Sequence, residues 1–146
     1  MHTHPNTRPP PSARPPRPAV AHFRRLMGTP AYGGQLWGEI SAMTVLSRIG
    51  SALPRLLRRT DLHHRLIHGS DYPIPAINPL INTWQILAAD LIDREDRAPL
   101  AELWDESPLL FEFVLKRCLR LGDDRQARFP ASVFQPPAHL FPGLKR

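Results

Sequence analysis

Apolar positions recur at two different spacings after residue 19, and the change of spacing marks the elements. "AVAHFRRLMG" at 19–28 puts Phe23, Leu26 and Met27 on one side of a short helix, with Gly28 at its end. After the turn at Gly33-Gly34, "QLWGEISAM" has the length and apolar content of a strand. "LSRIGSALPRLLRR" returns to helical spacing through Ile49, Leu53, Leu56 and Leu57; Pro54 either kinks this helix or marks where its regular part begins. Asp61 is placed to cap a short turn, and "RLIHG" at 65–69 follows as a second strand. Asn78-Pro79 and Ser107-Pro108 each pair an N-cap side chain with proline at the first helical position. The first of these helices is expected to carry a stripe of Leu80, Ile81, Trp84, Leu87, Ala88 and Leu91. The second carries Leu110, Phe113, Val114 and Leu121, stops at Gly122, and is followed by "FPASVF" as an apolar anchor.

The resulting order is helix, strand, helix, strand, helix, helix. Strands alternating with helices imply parallel pairing through right-handed crossovers. Two such strands do not form a stable sheet alone, because both edges stay open and helices cover only one face. The pattern is that of a part of a larger α/β arrangement.

Composition changes this picture at one end only. The first 18 residues, "MHTHPNTRPPPSARPPRP", hold seven prolines and three arginines with almost nothing to bury, which predicts an extended, disordered leader. The expected division is a leader over 1–22, a folded segment over 23–141 and a tail over 142–146. The net charge of +6 belongs to the leader side as well. Arg8, Arg14, Arg17, Arg24 and Arg25 are the only charged side chains before residue 26. Without those five, 14 basic residues face 13 acidic ones, so nucleic-acid binding by the folded part is not expected. No run approaches the roughly 20 apolar residues of a membrane span, and no secretory signal precedes the fold. A single cysteine, Cys118, excludes an internal disulfide and reads as a buried thiol. A cytoplasmic location is the default expectation.

The candidate chemistry centres on Asp71. Alternation along a strand puts Asp71, Gly69 and Ile67 on one face and His68 and Leu66 on the other. By spacing alone, Gly69-Ser70-Asp71 is a turn. However, four stretches together resemble the C-terminal part of the amidohydrolase superfamily, in its amidohydrolase-related branch of metal-dependent hydrolases. They are "WGEISAM" (37–43), "ALPRLLRRTDLHHRLIHGSDYPIP" (52–75), "SPLLFEFVLKRCLRLG" (107–122) and "FPASVF" (129–134). The resemblance implies the C-terminal portion of a (β/α)8 barrel, with 36–42 as the seventh strand and 65–70 as the eighth. It also implies that Asp71 binds or faces a divalent metal, zinc by preference, and accepts a proton from the attacking water. The bond cleaved would be C–N or C–O, or C–C in some relatives. A catalytic zinc needs about three protein ligands. The family's other ligands come from earlier strands absent from this chain, so it is expected to be inactive alone.

Other candidates have simpler readings. His2-Thr3-His4 spells His-x-His but lies outside any apolar strand and is a chance match. His63 and His64 are expected to face solvent, His68 to pack against covering helices, and Trp37, Trp84 and Trp104 to pack. Asp90, Asp93, Glu95 and Asp96 read as a solvated helix end alternating with Arg94 and Arg97. The partners implied are a complementary barrel-forming chain or self-association, and a small-molecule substrate once the barrel is complete. Two alternatives stand beside the hydrolase reading. One is a non-catalytic interaction protein using the Pro/Arg-rich leader. The other is a truncated reading frame that keeps a family tail without its function.

Overall fold

The computed structural model describes residues 19–77, 80–135 and 137–140. Its elements are α1 (Ala19–Met27), β1 (Gly38–Glu39), α2 (Leu46–Ile49), α3 (Ala52–Leu57), β2 (Leu66–Ile67), α4 (Thr83–Ala88), α5 (Arg97–Glu106) and α6 (Pro108–Cys118). Short 3₁₀ turns occupy Pro30–Tyr32, Thr60–Arg65, Ile74–Ala76 and Ala131–Phe134. α1 includes residues 19–22, so ordered structure starts ahead of the boundary expected at 23. The leader 1–18 and the tail 142–146 lie outside the described residues.

The two strands pair in parallel, with Gly38 opposite Leu66 and Glu39 opposite Ile67. The fold is a mixed, helix-rich one around this small sheet, and it is not a closed barrel. Both strands are shorter than the 36–42 and 65–70 expected. One face of the sheet is covered: Ile40 and Leu66 are fully buried there. Gly38 permits the cover to come close, since a β-carbon on it would lie 2.5 Å from the Phe23 ring of α1 and 2.9 Å from Leu66 Cδ2. The His68 N–H points away from β1 and donates to the Val133 carbonyl at 2.8 Å. The "FPASVF" anchor therefore covers the outer edge of β2, which the sequence leaves open.

Pro54 falls in the first turn of α3, where its missing N–H costs nothing, and the expected single helix is two helices broken at Gly50-Ser51. The cap pair Ser107-Pro108 forms as expected, with Ser107 Oγ accepting from the Leu110 N–H at 3.4 Å. The other helix start differs. Asn78-Pro79 lies outside the described residues, and α4 begins at Thr83, capped by Asn82 Oδ1, which accepts from the Trp84 and Gln85 N–H groups. The long stripe also breaks. Asp90 adopts a left-handed φ of 56° after α4, and a further helix, α5, forms beyond the acidic stretch. Trp84 is consequently 61% exposed rather than packed, with the Arg97 guanidinium over its ring at 3.9 Å. α6 turns a different face inward from the one expected. Phe111, Glu112, Leu115, Lys116 and Leu119 are buried, while Leu110 and Phe113 are exposed.

Arg65 ties the N-terminal part to the sheet. Its guanidinium is buried and donates to the carbonyls of Met27, Tyr32 and Leu36 at 2.7–3.0 Å. The Met27 and Leu36 carbonyls have no ladder to satisfy them, the Tyr32 carbonyl also accepts from the Gln35 and Leu36 N–H groups, and a planar fork reaches all three. Arg65→Met is therefore expected to cost about 3 kcal/mol or more, because it strands buried acceptors. Arg65→Lys should recover less than half of that. Urea denaturation midpoints of the three proteins measure both effects.

Candidate functional site

The less covered face of the sheet carries Glu39, Ser41, Ile67 and Gly69, by the same alternation that buries Gly38, Ile40 and Leu66. Glu39 is exposed, and its carboxylate accepts from the Ser41 hydroxyl. The two groups sit where a side chain on Gly69 would be, so only glycine fits there without displacing them. Glu39 also lines a groove of about 380 Å³ beside β1, floored by Phe23, Met43 and Leu56. The chain leaves both strands through left-handed residues, Ala42 (φ 49°) and Asp71 (φ 54°).

Asp71 is exposed just past the end of β2, and its carbonyl accepts from the Ile74 N–H at 2.8 Å. It is thus a turn residue, as its spacing implies, and it also stands at the C-terminal end of a parallel strand. Among the described residues its carboxylate makes no hydrogen bond and no ion pair. It is close enough for its charge to act on two buried groups of α6, Glu112 and Lys116.

Sequence reasoning missed those two residues. Lys116 is fully buried, pairs with Glu112 one turn earlier, and donates to the Gly69 carbonyl at 2.8 Å. The signal was present as a Glu-to-Lys i,i+4 spacing, which ordinarily marks a solvated helix face. Burial pushes the Glu112 carboxyl up to about 7 against the opposing pull of Lys116, with the Asp71 charge adding to the rise. Burial likewise lowers the Lys116 ammonium, and Glu112 holds it back.

His68 lies beside this pair, with Nδ1 3.9 Å from Glu112 Oε2 and no hydrogen-bond partner on either atom. Its ring packs between Phe113 and Phe134, on the covered side that alternation assigns to it. Burial, and then the Lys116 charge, bring its pKa down to about 4. His68 is neutral near pH 7 and is a packing group.

The remaining candidates separate clearly. His63 is buried, contrary to expectation, with Nε2 3.1 Å from the Leu56 carbonyl and its ring against Phe129. The turn before β2 folds inward at this point because the 129–134 anchor packs on it. His64 is exposed. Asp61 binds Arg59 through two hydrogen bonds and does not cap the turn. Asp90 and Asp93 are bridged by Arg125, and Asp93 also meets Arg120, so their partners come from a distant loop and not from Arg94 and Arg97. Trp104 donates to the Pro75 carbonyl at 2.8 Å. Burial raises the Cys118 thiol, which suits a packing role.

A metal does not fit these residues as they stand. Among the described residues, no three His, Cys, Asp or Glu side chains come close enough to hold an ion, and Asp71 is a single donor. His2 and His4 lie outside the described residues. Nor, among the described residues, is any helix long and apolar enough to cross a membrane. Compared with known proteins, the chain matches no family model, no curated protein and no solved structure.

Two predictions follow from the buried cluster. Lys116→Met leaves Glu112 buried without a counter-charge and is expected to cost about 3–5 kcal/mol, whereas Glu112→Leu combined with Lys116→Met should restore most of it. Calorimetric unfolding of the two variants decides this. The second concerns pH. Glu112 has a raised pKa in the fold, so its contribution is complete below about 4.5 and lost as pH rises through about 7. His68 has a lowered one, so its contribution is complete above about 6.5 and lost as pH falls through about 4. Stability of Glu112→Gln should therefore fall only on acidification, and that of His68→Phe only as pH rises from 4.5 to 7. Urea midpoints across that range read both slopes.

Proposed function

We propose that residues 23–141 are the closing portion of an amidohydrolase-type (β/α)8 barrel, with β1 and β2 as its seventh and eighth strands. The observation that supports this most is the asymmetry of the sheet. Helices cover one face, and the other presents an exposed Glu39 with Ser41, Ile67 and Gly69 only half-buried beside it. All-parallel sheets occur almost only with both faces covered or with the second face turned into a barrel. Asp71 then stands at the catalytic rim, where the family places a carboxylate that takes a proton from the attacking water. The reaction class is hydrolysis of a C–N or C–O bond in a small molecule, in the reducing cytoplasm.

On this reading the reaction requires the completed barrel. A divalent metal, zinc by the family's preference, belongs to the completed barrel, because the described residues of this chain supply no donor set for it. The loops that select a substrate belong to it as well.

A chimera tests this reading. An amidohydrolase-type barrel whose last two strand units are replaced by residues 19–140 of this chain should fold, load zinc and hydrolyse its substrate. Asp71→Asn in that chimera should lower kcat about 10²- to 10⁴-fold with zinc content unchanged or reduced. A chimera that fails to close, or one that turns over equally well without the Asp71 carboxylate, contradicts the assignment.

A further inference from the structure

We propose that a second concavity, near the entry to β2 and away from Asp71, binds the dianionic head of a phosphomonoester. It has a volume of about 560 Å³ and lies between the 3₁₀ turn at Thr60–Arg65, the exposed side of α6 and the loop leading into the 129–134 anchor. Arg117 and Arg128 both line it, together with Thr60, Gln126 and the buried His63 and Phe129.

Several arginines of the fold are held by polar partners, and these two are not. Arg59 is held by Asp61, Arg120 and Arg125 by Asp90 and Asp93, and Arg65 by backbone carbonyls. Among the described residues, Arg117 and Arg128 make no ion pair. Arg117 only lies over the Phe134 ring, at 5.1 Å, a contact that positions the guanidinium without neutralising it. Of the acids near the concavity in sequence, Asp61 is engaged by Arg59 and Asp124 accepts from the Gln126 N–H. Among the described residues, no carboxylate lines the concavity.

Two guanidiniums without ion pairs that line one concavity with a threonine, a histidine and a glutamine match an oxyanion of charge near −2. A carboxylate monoanion would leave one cation without compensation. A phosphomonoester brings the required charge, and its organic part has the Phe129 ring and the rest of the volume to occupy. The site lies toward the N-terminal end of the parallel strands, opposite the end where chemistry is placed in such sheets, so it is a binding site distinct from the Asp71 corner. It does not depend on the barrel reading.

The test uses the full chain, with amide NMR shifts followed during titration with inorganic phosphate, glycerol 3-phosphate, and sodium chloride at matched ionic strength. Saturable shifts at Thr60 and at residues 126–131 are expected with both phosphates, tighter for the ester. Arg117→Met and Arg128→Met should each weaken binding roughly tenfold, while Arg94→Met leaves it unchanged. Both arginines are exposed, so thermal melts should show the variants folded. Equal affinity for the two phosphates would assign the site to the free ion. Shifts that track ionic strength alone, or binding indifferent to both arginine variants, would overturn the proposal.

Discussion

A parallel sheet needs cover on both faces, and in this fold one face is fully buried while the other is only half-covered, with Glu39 exposed on it. Gly38, Ile40 and Leu66 turn toward α1 and the core, where the Phe23 ring comes close because position 38 has no side chain. Glu39, Ser41 and Gly69 turn the other way. This division is the simple consequence of period-two alternation in two strands whose register is fixed opposite one another. The hydrolase reading rests on it. It puts Glu39 and Ser41 on the less covered side, and Asp71 follows in the turn beyond β2.

The end of β2 is held by charge as well as by apolar packing. Lys116 reaches from α6 to the Gly69 carbonyl, and Glu112 accompanies it, so a buried ion pair links the helix to the strand two residues before Asp71. Such a pair adds little net stability compared with an apolar replacement, yet it is costly to break from one side. It fixes which face of α6 turns inward. At the other end of the strand, Arg65 gathers three carbonyls from the segment between α1 and β1. The short β2 is thus pinned at its start by a guanidinium and at its end by an ammonium, and two residues of ladder suffice between them.

The parts legible in the sequence were those governed by local chemistry. The Ser107-Pro108 helix start, the α1 pattern, the two strands and their parallel pairing all follow from caps, spacing and alternation. The misread parts were set by tertiary contacts. The stripe from Leu80 to Leu91 ignored the left-handed turn at Asp90, which no apolar pattern announces. Leu110 and Phe113 looked like the inner face of α6 because leucine and phenylalanine outrank Glu112 and Lys116 on any hydropathy reading. Burial of that charged pair depends on the Gly69 carbonyl, 47 residues away from Lys116 in sequence. His63 was misplaced for a similar reason: its ring is enclosed by Phe129, far along the chain. Asp71 was found by its position after a strand, but its charge coupling to α6 was not visible from one segment alone.

Thiol labelling reads the asymmetry of the sheet most directly. In a Cys118→Ala background, Glu39→Cys and Ile40→Cys place one thiol on each face of β1. If one face is open, the thiol at 39 reacts nearly as fast as in the unfolded chain, and the thiol at 40 reacts only through global unfolding. Equal, strong protection of both would mean that the face bearing Glu39 is already covered, and the barrel assignment of Asp71 would fall with it.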